Sequence, residues 1–426
     1  MEKYDIFSFI YSYKRKVFIM LSMKIEIKLN LNQIIKLETL SNEHRLLYNY
    51  LLNSIKENSL TFKELNRKYV DYRWNNKLTI NSKSAQNTCI GLINNIKSFY
   101  ELRKKDLTVK FPYRFKSHKY FKSFTHDYNN AKGGFKLKDN QLILNLLDAS
   151  QDLSKKLVIN LPSCCSVITN ENIKTITFKR ENDNDYYVIF VYSEKPSNHQ
   201  PDKSNFMSID LGYSNIITSY SNNMSNIQIK NLKLKKLEKT IEYLQSIKDK
   251  KKKYSNKYNK INNLFKKKKR KLSNKVKDFQ HKVSTYIINE CIKNDIGSLI
   301  VGDIKIKKVI CKDNKKLSGI SKSTLSLGRF KTFLEYKSKK SNMNHYHINE
   351  AYTSQQNCLT DEIMFSSNLD NRIVEISKGQ FIDRDLNSAI NIGKKCKGVW
   401  FTHDLNFDLN QMYYNVSNDK IIRIEI

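Results

Sequence analysis

Thiols are few in this sequence and poorly placed for cross-linking. The seven cysteines (Cys89, Cys164, Cys165, Cys291, Cys311, Cys358 and Cys396) are odd in number and scattered, with one adjacent pair and no CxxC spacing. That pattern argues against a disulfide framework and for a reducing compartment. Long apolar runs are missing too. Residues 7–21 look apolar but are cut by Lys14, Arg15 and Lys16, and no signal-cleavage pattern follows them. Such a run is too short and too charged to span a bilayer, so no membrane partner is expected. Met20 or Met23 offers an alternative start. The expected location is intracellular: bacterial cytoplasm or nucleoid, or the nucleus or cytoplasm of a host cell if the chain is viral. There is no internal repeat, no glycine-rich phosphate loop and no Ser/His/Asp arrangement. Of the four prolines, two fall in residues 195–204, which read as a linker. Acid is the most telling shortage: 41 Asp and Glu against 76 Lys and Arg leave a net charge of +35. Self-repulsion on that scale destabilises a compact state unless a polyanion neutralises it, which makes nucleic acid the first partner to consider.

The 426 residues are too many for one core of ordinary size, and 39% hydrophobic with 11% aromatic residues is enough to build two or three. Lys24–Asn30 alternates like a strand. From Leu31 to about Lys105 the apolar spacing is helical, through Leu40, Leu47, Leu51 and Ile55, and then through Ile90, Ile93, Ile96 and Tyr100. Strand-like stretches return at Gly134–Leu147, Leu157–Leu161, Ile173–Phe178 and Tyr186–Tyr192, punctuated by Asn and Asp turns. This layout predicts a β-barrel interrupted by a helical insert. Between them, Lys110, Arg114, Lys116, Lys119 and Lys122 alternate with Phe111, Tyr113, Phe115, Tyr120 and Phe121. The alternation suits phosphate contact plus base stacking, and suits a half-buried strand with a solvated face equally well.

Beyond the linker the pattern turns α/β. Asn205–Ile209, Asn215–Tyr220 and Asn226–Lys230 read as strands, and Ser298–Ile304 as a buried strand. Two long polar helices lie between. Lys248–Lys277 carries fifteen Lys and Arg, among them Lys250, Lys251, Lys252, Lys253, Lys266, Lys267, Lys268, Lys269, Arg270 and Lys271, against Asp249 alone. A solvated hairpin would tolerate such charge only at a cost, since like charges one turn apart repel, so a phosphate-facing element is the better reading. Val276, Phe279, Val283, Ile287 and Cys291 dock the second helix on the core.

Three acidic positions stand at the edges of these elements, where an RNase H-like fold needs them. Asp210 in SIDLGYSN follows an apolar strand, beside Gly212, which permits a sharp turn. The buried strand ends Val301-Gly302-Asp303. Asp385 in FIDRDLNSAINI opens a helix whose apolar face is Leu386, Ala389 and Ile390, with Asn387 and Asn391 one turn apart. Converging carboxylates suit two Mg²⁺ ions, because hard cations take oxygen ligands and the ion pair clamps the attacking and leaving oxygens of a phosphodiester.

SIDLGYSN, DFQHKVS at 278–284, SLIVGDI, GRFKTFLEYKSKK at 328–340, INEAYTSQQNC at 348–358 and DRDLNSAINI at 383–392 together resemble TnpB, over residues 205–396. TnpB is the transposon-encoded, RNA-guided DNA endonuclease related to eukaryotic Fanzor proteins and to type V CRISPR effectors. The resemblance implies α/β plus β-barrel architecture: an RNase H-like (RuvC) nuclease domain behind an N-terminal wedge-type β-barrel with a helical insert. Residues 20–30 and 106–200 would form the barrel and 31–105 the helical recognition insert. Residues 201–346 would begin the nuclease domain, with the lysine-rich hairpin at 232–293, and 347–350 with 383–396 would complete it. A zinc-ribbon region would occupy 351–382, and 397–426 a tail. The implied function is RNA-guided, Mg²⁺-dependent cleavage of double-stranded DNA, with a guide RNA and a DNA target as partners.

Two departures from the family pattern bear on that function. Gly302 stands where the family's second strand ends in a glutamate, and strand alternation aims Asp303 at the opposite face. Some TnpB and Fanzor proteins supply the glutamate from a later strand, and Glu350 stands at that place. Asp210, Glu350 and Asp385 are then the implied Mg²⁺ ligands, although Glu350 also suits an ordinary strand-end acid. The second departure is the ribbon. Cys358 remains, but Asp361, Glu375 and Lys378 hold the other ligand positions, and His345 and His347 do not fall at the ligand spacing. One thiolate, two carboxylates and a lysine make no zinc site of the usual kind, so a metal-free ribbon is expected. The alternatives are a nuclease-dead RNA-guided DNA-binding protein, a decaying transposon remnant, and an RNase H-like transposase or resolvase that works without RNA.

Overall fold

The computed structural model describes residues 18–57, 62–111, 114–128, 134–146, 156–181, 185–212, 214–303, 326–364, 372–400 and 421–424. Cys311, Tyr113 and most of the expected tail lie outside them. The chain divides into two compact units, residues 1–195 and 196–426.

In the first unit, β1 (Ile19–Ile27) leads into three helices: α1 (Leu31–Glu57), α2 (Phe62–Asn75) and α3 (Ser82–Lys105). The chain then forms β2 (Phe124–Asp127), β3 (Phe135–Lys138), β4 (Gln141–Asn145), β5 (Lys156–Asn160), β6 (Ile173–Arg180) and β7 (Tyr186–Glu194). These strands make two antiparallel sheets, ordered β1-β7-β6-β2 and β3-β4-β5. Both share one core with the helices, through Leu47 and Leu51 of α1, Cys89 and Leu92 of α3, and Leu144, Phe178 and Phe190 of the strands. The helices are thus inserted between the first and second strands, where the periodicity placed them.

The face expected of α3 needs correcting. Cys89, Leu92 and Phe99 are buried, while Tyr100 is exposed and Ile90, Ile93 and Ile96 are only partly covered. The inward stripe also carries Ser84 and Thr88, whose hydroxyls sit at 2.9 and 2.8 Å from the two ring nitrogens of buried His44. Polar residues satisfied by a buried histidine disguised the stripe. Residues 114–122 of the 110–122 segment form no strand: they run irregularly, with the backbone held at Lys116 by the Asn49 side chain. Of the two readings left open for it, the half-buried strand falls away.

His44 and His126 pack beside each other, rings 6.4 Å apart, and neither ring nitrogen of His126 has a hydrogen-bond partner among the described residues. Burial pushes the His126 ring down to about 3, and burial with the charges of His126 and Lys122 lowers His44. A histidine depressed in the fold binds its proton only after unfolding, so its stabilising contribution is complete above the unfolded value and lost as the pH falls below about 6.5. Each adds up to about 1.4 kcal/mol of destabilisation per pH unit. Thermal melts between pH 7 and 4.5 should therefore fall steeply, and His126→Phe should flatten the fall. An equal slope in the variant would show that His126 is protonated in the fold.

In the second unit, residues 196–205 dock instead of linking: Ser197 N–H donates to Lys340 O at 2.7 Å, and Asn342 donates to His199 O at 2.9 Å. An antiparallel meander follows, β8 (Phe206–Asp210), β9 (Asn215–Ser221) and β10 (Asn226–Lys230). Then come α4 (Lys235–Asp249), α5 (Asn256–Lys293), β11 (Ser298–Gly302), α6 (Leu327–Lys340), β12 (Asn344–Ile348), the hairpin β13 (Ile373–Ser377) and β14 (Gln380–Asp383), α7 (Arg384–Trp400) and β15 (Ile421–Ile424). The main sheet is ordered β12-β11-β8-β9-β10-β15, with β11 parallel to both β8 and β12 and with β15 parallel to β10. Parallel strands covered on both faces read as unbroken apolar runs, which is why SLIVG was legible.

Helices cover the two faces. Met207, Ile209, Leu299 and Val301 pack with Phe279, Val283 and Ile287 of α5 and with Phe330 and Leu334 of α6. Phe206, Tyr220, Ile300 and Ile348 lie with Leu386, Ala389 and Ile390 of α7. Helix α5 is buried only from Leu272 onward. Its first sixteen residues, 256–271, run out for about 24 Å beside α4, at 1.5 Å of rise per residue.

Candidate active site

Strand alternation sorts the acids. Ser208 and Asp210 lie on the α7 face, and Ser208 Oγ donates to Ala389 O at 2.7 Å. Gly302 follows Val301, which pairs with Ile209, so Gly302 lies beside Asp210; it pairs on its other side with Ile348. Glu350, two residues past Ile348, returns to the same face. A Cβ built on Gly302 would overlap Glu350 Oε2 and come within 2.9 Å of Ile392 Cδ1. The Glu350 carboxylate therefore occupies the space that a side chain at 302 would need. Its Oε2 is buried and has no hydrogen-bond partner among the described residues.

Helix α7 delivers the third carboxylate. Asp383 Oδ1 accepts from the N–H groups of Asp385 and Leu386, at 2.9 and 3.3 Å, and so caps the helix. Asp385 is left in the first turn, its side chain 15% exposed. Burial raises Asp210 well above the usual carboxylate range, and the negative charges of Glu350 and Asp385 add to the rise; Arg384 and the Ser388 hydroxyl oppose it. Burial likewise raises Glu350 to about 7, against the pull of Lys331. Asp210 thus lies close enough to the other two to feel their charge. Hard oxygen donors and an orphaned buried carboxylate oxygen suit Mg²⁺. Among the described residues no three such side chains are already disposed around one ion.

Asp303 turns to the α6 side, as alternation requires, where its Oδ1 pairs with Lys331 Nζ at 2.5 Å. It is not electrically remote, however: its charge contributes to the rise of Glu350, and the buried Lys331 opposes it.

Several residues that hold the site together carry no signal in composition. Asn391 of α7 donates to Thr353 O at 2.9 Å and to Gln356 O at 2.6 Å, and Asn387 donates to Gln356 O at 2.8 Å and accepts from Cys358 N–H at 2.9 Å. The loop after Glu350 is thereby stapled to the helix bearing Asp385. Thr353 Oγ1 donates to Glu350 O at 2.9 Å and lies 3.0 Å from Ser388 Oγ, which bonds Asp210. The one-turn spacing of the asparagines was visible in the sequence, and their loop partners were not.

The ribbon positions have other uses. Cys358 is fully buried, and burial pushes its thiol up to about 12. Asp361 pairs with Lys394 at 2.9 Å, and Glu375 accepts from Gly379 N–H at 2.9 Å to close the β13–β14 turn, with Lys378 exposed beside it. His345 Nδ1 lies 3.0 Å from Ser338 Oγ on α6, away from the hairpin. Protein purified without chelators should hold well under one zinc per chain by metal analysis. A full equivalent released by Cys358→Ala would reveal a different ligand set around that thiol.

Lys250, Lys251, Lys252 and Lys253 are exposed at the α4–α5 turn, and Lys266, Lys267, Lys269 and Lys271 along α5, where Lys268 and Arg270 are half-buried. Arg114, Lys116 and Lys119 are exposed in the first unit. No helix among the described residues is long and apolar enough to cross a membrane.

Comparison with known proteins agrees with this layout. Residues 189–307 match a family described as "Probable transposase", and residues 328–392 match "Cas12f1-like, TNB domain". TnpB-like protein L79 of Acanthamoeba polyphaga mimivirus is 28% identical over 242 residues, which cover 54% of this chain and 44% of that protein. TnpB-like protein MJ0751 of Methanocaldococcus jannaschii is 27% identical over 198 residues, 45% of this chain and 69% of that one. The chain thus spans less than half the length of the viral relative. The cryo-EM structure of the Cas12f1-sgRNA-target DNA complex aligns with a TM-score of 0.60 at 14% identity, over 85% of this chain and 82% of that one, a likeness of fold. Two family matches in tandem, TnpB-like relatives from a virus and an archaeon, and a shared fold support a TnpB-like protein related to the type V effectors.

Proposed function

We propose that the chain is an RNA-guided, Mg²⁺-dependent endonuclease that cuts double-stranded DNA and belongs to a transposable element. One observation carries the reading: Glu350 fills the space left by Gly302, on the same face as Asp210 and near enough, with Asp385, to raise its carboxyl. The order of the first five strands of the main sheet supports an RNase H-like nuclease domain, and the two-sheet unit with its helical insert supports a wedge-type barrel. Asp210, Glu350 and Asp385 would hold the metal, which when bound activates water and stabilises charge on the phosphate. The chain's own residues keep the ligands in register: Asp383 sets the helix start, Asn387 and Asn391 pin the Glu350 loop, and Ser388 orients Asp210. Target choice would come from base pairing, with the protein gripping backbone through Lys250–Lys253, Lys266–Lys271 and the exposed Arg114, Lys116 and Lys119.

The protein should purify with RNA and cleave a duplex matching that RNA, and RNase treatment should abolish the cutting. Cleavage that survives RNase would favour a transposase or resolvase that works without a guide. Replacing Lys266, Lys267, Lys268, Lys269 and Arg270 with glutamine should flatten the plot of log affinity against log salt, by about 0.7 to 0.9 for each phosphate no longer neutralised. An unchanged slope would make the hairpin a solvated face. A nuclease-dead, RNA-guided DNA-binding protein is the second reading. The nitrogen donors around Asp385 favour it: Arg372 lies at 3.3 Å and Arg384 at 3.5 Å.

A further inference from the structure

Arg372 stands immediately before β13, outside the machinery assigned above. Its Nη1 donates to Asp385 Oδ2 at 3.3 Å and its Nη2 to Ser214 Oγ at 2.5 Å. Ser214 lies in the turn between β8 and β9 and Asp385 in the first turn of α7, so one side chain of the hairpin ties two edges of the cleft. Asn215 Nδ2 donates to the same Oδ2 at 3.3 Å, and Arg384 Nη2 lies 3.5 Å from Oδ1. Both oxygens of Asp385 are therefore engaged by nitrogen. The two arginines differ in exposure: the Arg384 side chain is 15% exposed, that of Arg372 50%. Arg384 is largely buried, whereas Arg372 is exposed enough to exchange partners with whatever enters from solvent.

A guanidinium that holds a carboxylate at a cleft mouth is equally suited to a phosphodiester, which offers the same paired acceptors. We infer that Arg372 is a two-position latch: it neutralises Asp385 while the cleft is empty, and transfers to a phosphate of the incoming strand, freeing Asp385 for the metal. This rests on the reading of Asp385 as a metal ligand. It also accounts for carboxylates that are close enough to raise Asp210 but are not disposed around one ion. Because one group serves two partners, the effect is reciprocal: a bound strand raises metal affinity, and metal raises strand affinity by the same factor. Metal loading then waits for substrate.

The test is Mn²⁺ affinity of the full chain, read from the EPR signal of free Mn²⁺. Site-specific binding is defined as the part abolished in Asp385→Asn. Without DNA, Arg372→Met should bind Mn²⁺ roughly two- to fivefold more tightly than the wild type, the scale of a half-exposed ion pair removed. Ser214→Ala, which removes only the second anchor, should shift affinity the same way by less; it keeps the test valid if Arg372→Met misfolds. Unchanged or weaker binding in these variants, with site-specific binding intact in the wild type, would overturn the latch and make Arg372 a residue that positions Asp385. Absence of any Asp385-dependent binding in wild type and variants alike would overturn the metal-site reading and the latch with it.

Discussion

Glu350→Gln should lower Mg²⁺-dependent cleavage of a guide-matched duplex about a hundredfold or more while leaving RNA binding unchanged. The size follows from what the carboxylate would supply. A metal held at a scissile phosphate provides several kcal/mol of transition-state stabilisation, and each 1.36 kcal/mol is tenfold in rate. The amide keeps the shape of the side chain and removes the charge. With Oε2 buried and without a partner among the described residues, that exchange should cost little in folding. Guide binding, proposed to rest on exposed lysines and arginines elsewhere, has no reason to move. Asp303→Asn is the matched control, since Asp303 serves Lys331 on the α6 side and should retain most activity. Cleavage that survives Glu350→Gln would sink the assignment, and the DNA-binding reading without cleavage would take its place.

Gly302→Ala should be nearly as damaging, although it adds a single carbon and removes no charge. The new Cβ would overlap the Glu350 carboxylate and press on Ile392. The end of the Glu350 side chain must then shift, and a displacement of about 1 Å at a catalytic group can cost about a hundredfold in rate. Both atoms that the Cβ would crowd are the free ends of side chains, so the folding cost should be small, at or below the low end of the about 1–3 kcal/mol of overpacking, and read as a slightly lower melting temperature. The two effects separate in a double mutant. In a Glu350→Ala background the space is vacant, so Gly302→Ala should lose most of its stability penalty. Additive penalties in that cycle would mean that the two positions do not compete for the same volume.

The frame of the second unit was legible because its strands are buried on both faces and its helices carry regular apolar stripes. Asp210 could be placed from the strand it ends, and Asp385 from the helix it helps to open. Glu350 could be placed only through resemblance, since a glutamate past a strand end has no distinguishing local pattern. Arg372 could not be found at all: it reaches Ser214 across 158 residues, from a chain already crowded with cations. The face of α3 was misjudged for a different reason. Apolar periodicity assumes that polar residues point outward, and Ser84 and Thr88 instead satisfy His44 inside the core. Pairings between distant polar groups decide such cases, and a one-dimensional pattern does not hold them.

The shared volume at Gly302 also constrains how the proposed nuclease could be re-engineered. Restoring a glutamate at 302 while Glu350 is present puts two carboxyl-bearing side chains into space for one, and removing Glu350 first leaves the cleft a ligand short. Either single step passes through an inactive chain, so scanning one position at a time would score both sites as intolerant of change. Only a library that varies 302 and 350 together can move between the two arrangements.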